Sequence, residues 1–95
     1  MKKSTKEAKA MFNTAREEGR LDDAFNLWIE IQSDVEEKKQ ADWCDHNSRY
    51  LFQDYYNRKD WVNTKRVCEA TMKLASKVGR INRLEELSGL KYDEI

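Results

Sequence analysis

Apolar residues in the first third of the chain fall at helical spacing in two runs, with a glycine between them. Ala8, Met11, Phe12 and Ala15 recur at intervals of three and four, Gly19 follows, and Ala24, Leu27, Trp28, Ile31 and Val35 resume the pattern. Such spacing puts each set on one face of a helix. Ser4 stands three residues before Glu7, the spacing of a capping box, so a first helix is expected from about Thr5 to Glu18. Gly19 ends it, with Leu21 covering the turn, and Asp22 and Asp23 bring negative charge to the start of the second helix, where exposed amide dipoles favour it. Phe25 and Ile29 widen the second stripe, which predicts a helix packed on two sides. The stretch from Asp34 to Asp42 is polar and holds neither proline nor glycine. The second helix is read to about Lys39, with a break near Gln40.

Forty positions on, the device repeats. Met11, Phe12, Ala15, Leu21, Ala24 and Leu27 find counterparts in Leu51, Phe52, Tyr55, Trp61, Thr64 and Val67. A third helix is expected from Trp43 or Cys44 to Asn57, with Ser48, Leu51, Phe52 and Tyr55 inward. Asn57, Arg58 and Lys59 make the turn and Asp60 caps a fourth helix, whose stripe runs through Trp61, Thr64, Val67, Cys68, Thr71, Leu74, Ala75 and Val78 to Gly79. Asn82 and Glu85 repeat the capping-box spacing for a short helix over 83–88, with Leu84 and Leu87, closed by Gly89. The expected fold is all-α: one domain, an antiparallel bundle of two stacked hairpins, about 5–39 and 42–78, plus the short C-terminal helix.

The run of Ala8, Met11, Phe12, Ala15, Gly19, Leu21, Ala24, Trp28 and Ile31 resembles the tetratricopeptide repeat, and the resemblance extends over about residues 6–78. The second copy departs from the family pattern with Lys59 at the turn glycine, and the period is 40 where the family has 34. The resemblance implies a ligand groove lined by the outward positions of the first helix of each copy: Lys6, Lys9, Asn13 and Arg16, then His46, Arg49, Gln53, Tyr56 and Asn57. Lys9 and Asn13, one turn apart, look like the lysine and asparagine with which some members of the family grip a peptide's terminal carboxylate. The solvated face of two amphipathic helices would have the same composition.

Charge changes the picture less than its distribution does. Eighteen basic and eighteen acidic residues cancel, so the whole molecule has no field to steer polyanions. By blocks the balance is +3 over 1–20, −6 over 21–48, +6 over 49–83 and −3 over 84–95. Alternation of this kind suits neighbouring segments that attract one another, or two copies that dock as a homodimer. Two cysteines lack paired spacing, no apolar run is long enough to span a membrane, and the start MKKSTKEAKAM has no signal-peptide core. A cytoplasmic protein with free thiols, away from membranes, is expected.

Candidate chemistry is sparse. Cys44, Asp45 and His46 are consecutive, and consecutive helical residues point about 100° apart, so they cannot converge on one ion or act as nucleophile and base. Four zinc ligands are not to be had with a single histidine and Cys68 on an apolar face. No phosphate loop, nucleophile elbow or zincin motif occurs, and the paired carboxylates sit where capping and solvation explain them. The sequence therefore reads as a non-enzymatic module without cofactor or metal. Basic and aromatic residues interleave over 49–66, and Arg49, Tyr50, Gln53, Tyr56 and Arg66 form the expected patch for a protein partner. A small adaptor or inhibitor results, in the style of a phage or plasmid protein that blocks a host machine. The alternative is nucleic-acid binding, with cations on phosphates and rings stacked on bases.

Overall fold

The computed structural model describes residues 5–33, 38–77 and 79, the side chains of 38–40 excepted. Among the described residues the chain is all-α, a bundle of four helices: α1 (Thr5–Glu17), α2 (Leu21–Ser33), α3 (Lys38–Asn57) and α4 (Trp61–Lys77). Consecutive helices are neighbours, α1 on α2, α2 on α3 and α3 on α4. The double-sided stripe of α2 accordingly meets a helix on either side, and Phe25 is buried while Ile29 stays partly exposed.

The two short turns are built alike. After α1 the Arg20 N–H donates to the Ala15 carbonyl at 2.8 Å and the Gly19 N–H to the Arg16 carbonyl at 3.0 Å. After α3 the Asp60 N–H donates to the Tyr55 carbonyl at 3.0 Å and the Lys59 N–H to the Tyr56 carbonyl at 2.9 Å. This paired closure of orphan carbonyls needs a left-handed residue, and Gly19 (φ 76°) and Lys59 (φ 59°) both supply it. Arg58 then reaches across, its Nη2 donating to the Gly19 carbonyl at 2.6 Å, so the two turns are tied together. Asp60 caps α4 as expected, with the Asn63 N–H donating to its Oδ1 at 3.2 Å.

The core joins Phe12, Ala15, Trp28, Ile31, Leu51, Tyr55 and Leu74. Polar residues in the second copy fit because each hydroxyl is satisfied locally. Thr64 Oγ1 donates to the Asp60 carbonyl, Thr71 Oγ1 to the Val67 carbonyl and Ser48 Oγ to the Asp45 carbonyl, at 2.7, 2.7 and 2.6 Å. Burial in an apolar core then costs little. Two further bonds beside that of Arg58 join the copies through the core: Trp28 Nε1 donates to the Cys44 carbonyl at 2.7 Å, and the Tyr55 hydroxyl to Asp22 Oδ1 at 2.8 Å.

Three expectations need correction. α3 begins at Lys38, so Lys38 and Lys39 belong to it and not to the second helix, and the break precedes Gln40. Lys, Gln and Ala are strong helix formers, and buried Ala41 carries the stripe of Cys44, Ser48 and Leu51 one turn towards the N-terminus. Trp61, expected inward, is 39% exposed, because it opens α4 on the side facing away from the first helix pair, edge-on to Tyr56. Its counterpart Leu21 is buried, and the relation inverts for Met11, exposed, and Leu51, buried. Each copy thus buries the side turned to the other. The capping role of Ser4, the inward places of Val35 and Val78, and the short helix over 83–88 lie outside the described residues.

Burial also governs titration. The Cys44 thiol is pushed up to about 12 by desolvation, with Lys9 opposing weakly, and desolvation with the bond to Asp22 raises the Tyr55 phenol above its usual range. Both groups are held protonated in the fold. Their contribution is complete below the unfolded values, about 8.5 for a thiol and 10 for a phenol, and is lost as pH rises towards the folded ones. The urea midpoint is expected to hold between pH 7 and 8 and to fall above about pH 9. Tyr55→Phe should remove the part of the fall above about pH 10; a midpoint flat to pH 11 would contradict the assignment.

Candidate protein-binding face

Along the seam between α1 and α3, cations lie on aromatic rings. Lys9 Nζ is 5.3 Å from the centroid of Trp43 and Arg16 Cζ is 4.6 Å from that of Tyr50. Arg16 Nε also donates to Asp54 Oδ2 at 2.7 Å, in a half-buried ion pair. Beneath them Phe12 meets Trp43 edge-on at 5.1 Å, and beside them His46 meets Tyr50 edge-on at 5.2 Å. These contacts fix the two helices side by side. They also hold the rings in place, so that the outer face is a rigid floor carrying the charges, worth roughly 0.5–1 kcal/mol for each exposed cation–ring pair.

The residues proposed from sequence separate into three places. Lys9 and Arg16 on α1 and Tyr50 on α3 make the contacts of this seam, while Asn13 on α1 and Arg49 and Gln53 on α3 are exposed positions outside the cation–ring contacts named above. Lys9 and Asn13 are forty residues from Arg49 and Gln53, so a cation and an amide one turn apart occur on both helices at equivalent positions. Asn13, Arg49 and Gln53 are exposed and Lys9 is half-buried, while Gln53 Nε2 donates to Asn57 Oδ1 at 2.8 Å. Tyr56 lies further along, stacked on Phe52 at 6.1 Å and edge-on to Trp61 at 5.4 Å. Arg66 is elsewhere: its guanidinium covers Phe25 of α2 at 5.4 Å and donates to Asn63, beside a shallow groove between α2 and α4 lined by Ile29, Glu69 and Lys73. The seam brings Lys9, Arg16 and Tyr50 together, and Arg66 stands apart from it.

Several members of the interleaved stretch are committed to the fold. Tyr55 is buried, Arg58 is bound to the Gly19 carbonyl, and Tyr56 and Trp61 lean on each other. Sequence reasoning missed Trp43 and Asp54, which anchor Lys9 and Arg16. Trp43 was hidden by its placement at a helix start, and Asp54 by the lack of any local signal for a contact 38 positions away. Of the consecutive trio, Cys44 is fully buried and His46 is exposed, so the helix holds them apart. Among the described residues no cluster of three or more His, Cys, Asp or Glu could hold a metal ion, and no helix is long and apolar enough to cross a membrane.

A second concavity, about 520 Å³, opens between α1 and α2 on the side away from α3, lined by Ala10, Met11, Thr14 and Leu27 with Arg20, Asp23 and Glu30 at its polar edge. No protein-family model, no curated protein and no solved structure matches the chain.

Proposed function

We propose that the chain is a non-enzymatic protein-interaction module, a small adaptor or inhibitor built from two tetratricopeptide-like hairpins, with the α1–α3 seam as its binding face. One observation carries the reading: Lys9 and Arg16 of α1 lie over Trp43 and Tyr50 of α3, and the forty-residue period repeats the cation and amide of Lys9 and Asn13 as Arg49 and Gln53 on the neighbouring copy. An ammonium or guanidinium and an amide donor one turn apart can share one carboxylate, and two such pairs side by side suit an acidic or C-terminal peptide segment. Tyr50, 43% exposed, offers the ring that interface hot spots favour. A nuclease-insensitive protein partner is expected from affinity recovery in the native cell's lysate. Nucleic acid fits less well, since Tyr55 is buried and Tyr56 and Trp61 are engaged with each other, which removes three of the rings that would stack on bases. Recovery abolished by nuclease would overturn the proposal.

A further inference from the structure

The two helix pairs are joined by unlike sides. The second pair offers the groove between α3 and α4: Tyr50 and Asp54 receive Arg16 of α1, Arg66 lies over Phe25 of α2, and Leu51 and Val67 are buried with them. Forty residues earlier the same positions are Ala10, Thr14, Asn26, Met11 and Leu27, and these line the open concavity between α1 and α2. The first pair thus carries, on its free side, an unfilled copy of the groove into which it fits on the second.

The other half of the joint is left over as well. The first pair enters the joint with Arg16 and Phe25, whose counterparts Tyr56 and Lys65 belong by the period to the side of the second pair turned away from the first. Trp61 and Val62 accompany them, and Tyr56, Trp61 and Val62 are 41, 39 and 71% exposed. Exposed apolar residues follow one rule: Met11 is 40% exposed where its counterpart Leu51 is buried, and Trp61 is exposed where Leu21 is buried. Charge matches the two free sides. The concavity has Asp23 and Glu30 at its edge, with Arg20 already bound to Glu18 and Asp23, whereas Lys59 and Lys65 flank Trp61 and Val62 in the chain.

We propose that the concavity between α1 and α2 is a docking site for a second copy of the chain, entered by the Trp61–Val62 end of that copy's α4, so that the joint between the two pairs is repeated between molecules. Contact between unlike faces propagates. A copy filled on one side still offers the other, which gives head-to-tail chains or a closed ring and not a two-fold dimer. The inference rests on the two-hairpin repeat of the reading above. Its test measures self-association with no partner present, so loss of assembly and loss of partner capture are separate results.

The test follows the average mass of the purified full chain by sedimentation from about 1 μM to about 1 mM, where it should climb past that of a dimer. Met11→Lys sets a cation in the concavity against Lys65, and Val62→Asp sets an acid against Asp23 and Glu30. Each should raise the concentration needed for association about tenfold or more. Mixed in equal amounts, the two variants should form a heterodimer and stop there, because the first keeps only the entering side and the second only the concavity. Circular dichroism follows helicity, and Ala10→Lys, at an exposed position, replaces Met11→Lys if that variant loses it. A parent chain that stays monomeric throughout would overturn the proposal. So would a mixture of the variants that stays monomeric. A mass that levels at the dimer, with either variant alone associating like the parent, would overturn it in favour of a two-fold pair.

Discussion

Trp28→Ala is expected to lower the stability of the fold by about 4 kcal/mol, the middle of the range for removing a buried tryptophan. The residue is 1% exposed and packs in the core on α2, with Phe25 at 6.3 Å. Its indole N–H is also the donor that satisfies the Cys44 carbonyl. Alanine leaves both a cavity and a buried carbonyl without that donor, and a domain of this size has only about 5–15 kcal/mol in total. Trp28→Phe separates the two effects by keeping most of the volume while losing the donor, and should cost less. Urea unfolding followed by circular dichroism reads both. A loss below about 1 kcal/mol for the alanine variant would mean that α2 and α3 are not joined through this side chain.

At the two turns, substitutions of opposite direction are expected to have opposite signs. Gly19→Ala should cost about 1–2 kcal/mol, since φ of 76° is a left-handed conformation in which a Cβ is strained. The new methyl would also meet Arg58 Nη2 at 3.0 Å, on the guanidinium that ties the turns together. Lys59→Gly should raise stability by up to about 1 kcal/mol, because lysine there bears the strain that glycine is spared, less the added entropy of the unfolded chain. Thermal unfolding of the two variants beside the parent checks the pair. Small effects at both sites would contradict the left-handed strain assigned to these positions.

These turns show what the chain made legible and what it concealed. The glycine, the apolar spacing and the forty-residue echo were enough to foresee four helices, the turn at Asn57–Lys59 and the cap at Asp60, because each depends on a few neighbouring residues. The start of α3 was misplaced because Lys38 to Gln40 carry helix propensity but no apolar marker, so periodicity had nothing to register there. Trp61 was taken as core from its place in the α4 stripe and as the counterpart of Leu21, yet its exposure follows from which side of the second pair it occupies, a fact of tertiary placement. At the candidate face, the equivalence of Lys9 and Asn13 with Arg49 and Gln53 could be read from the period. The anchors Trp43 and Asp54 could not, since a contact between α1 and α3 leaves no trace in local pattern. Arg66 joined the patch by proximity in sequence alone, and α4 carries it to the α2–α4 side.

The proposed binding face, the α1–α3 seam, is open to a direct test. The deciding measurement is quantitative capture of the protein partner by the parent chain and by Lys9→Glu with Arg49→Glu, each with helicity and unfolding midpoint recorded. In the proposed mode of binding, reversing these two charges should cost several kcal/mol, and so reduce capture by about 100-fold or more, while the fold persists. Capture within a factor of about two of the parent, with the fold intact, would contradict the assignment of this face.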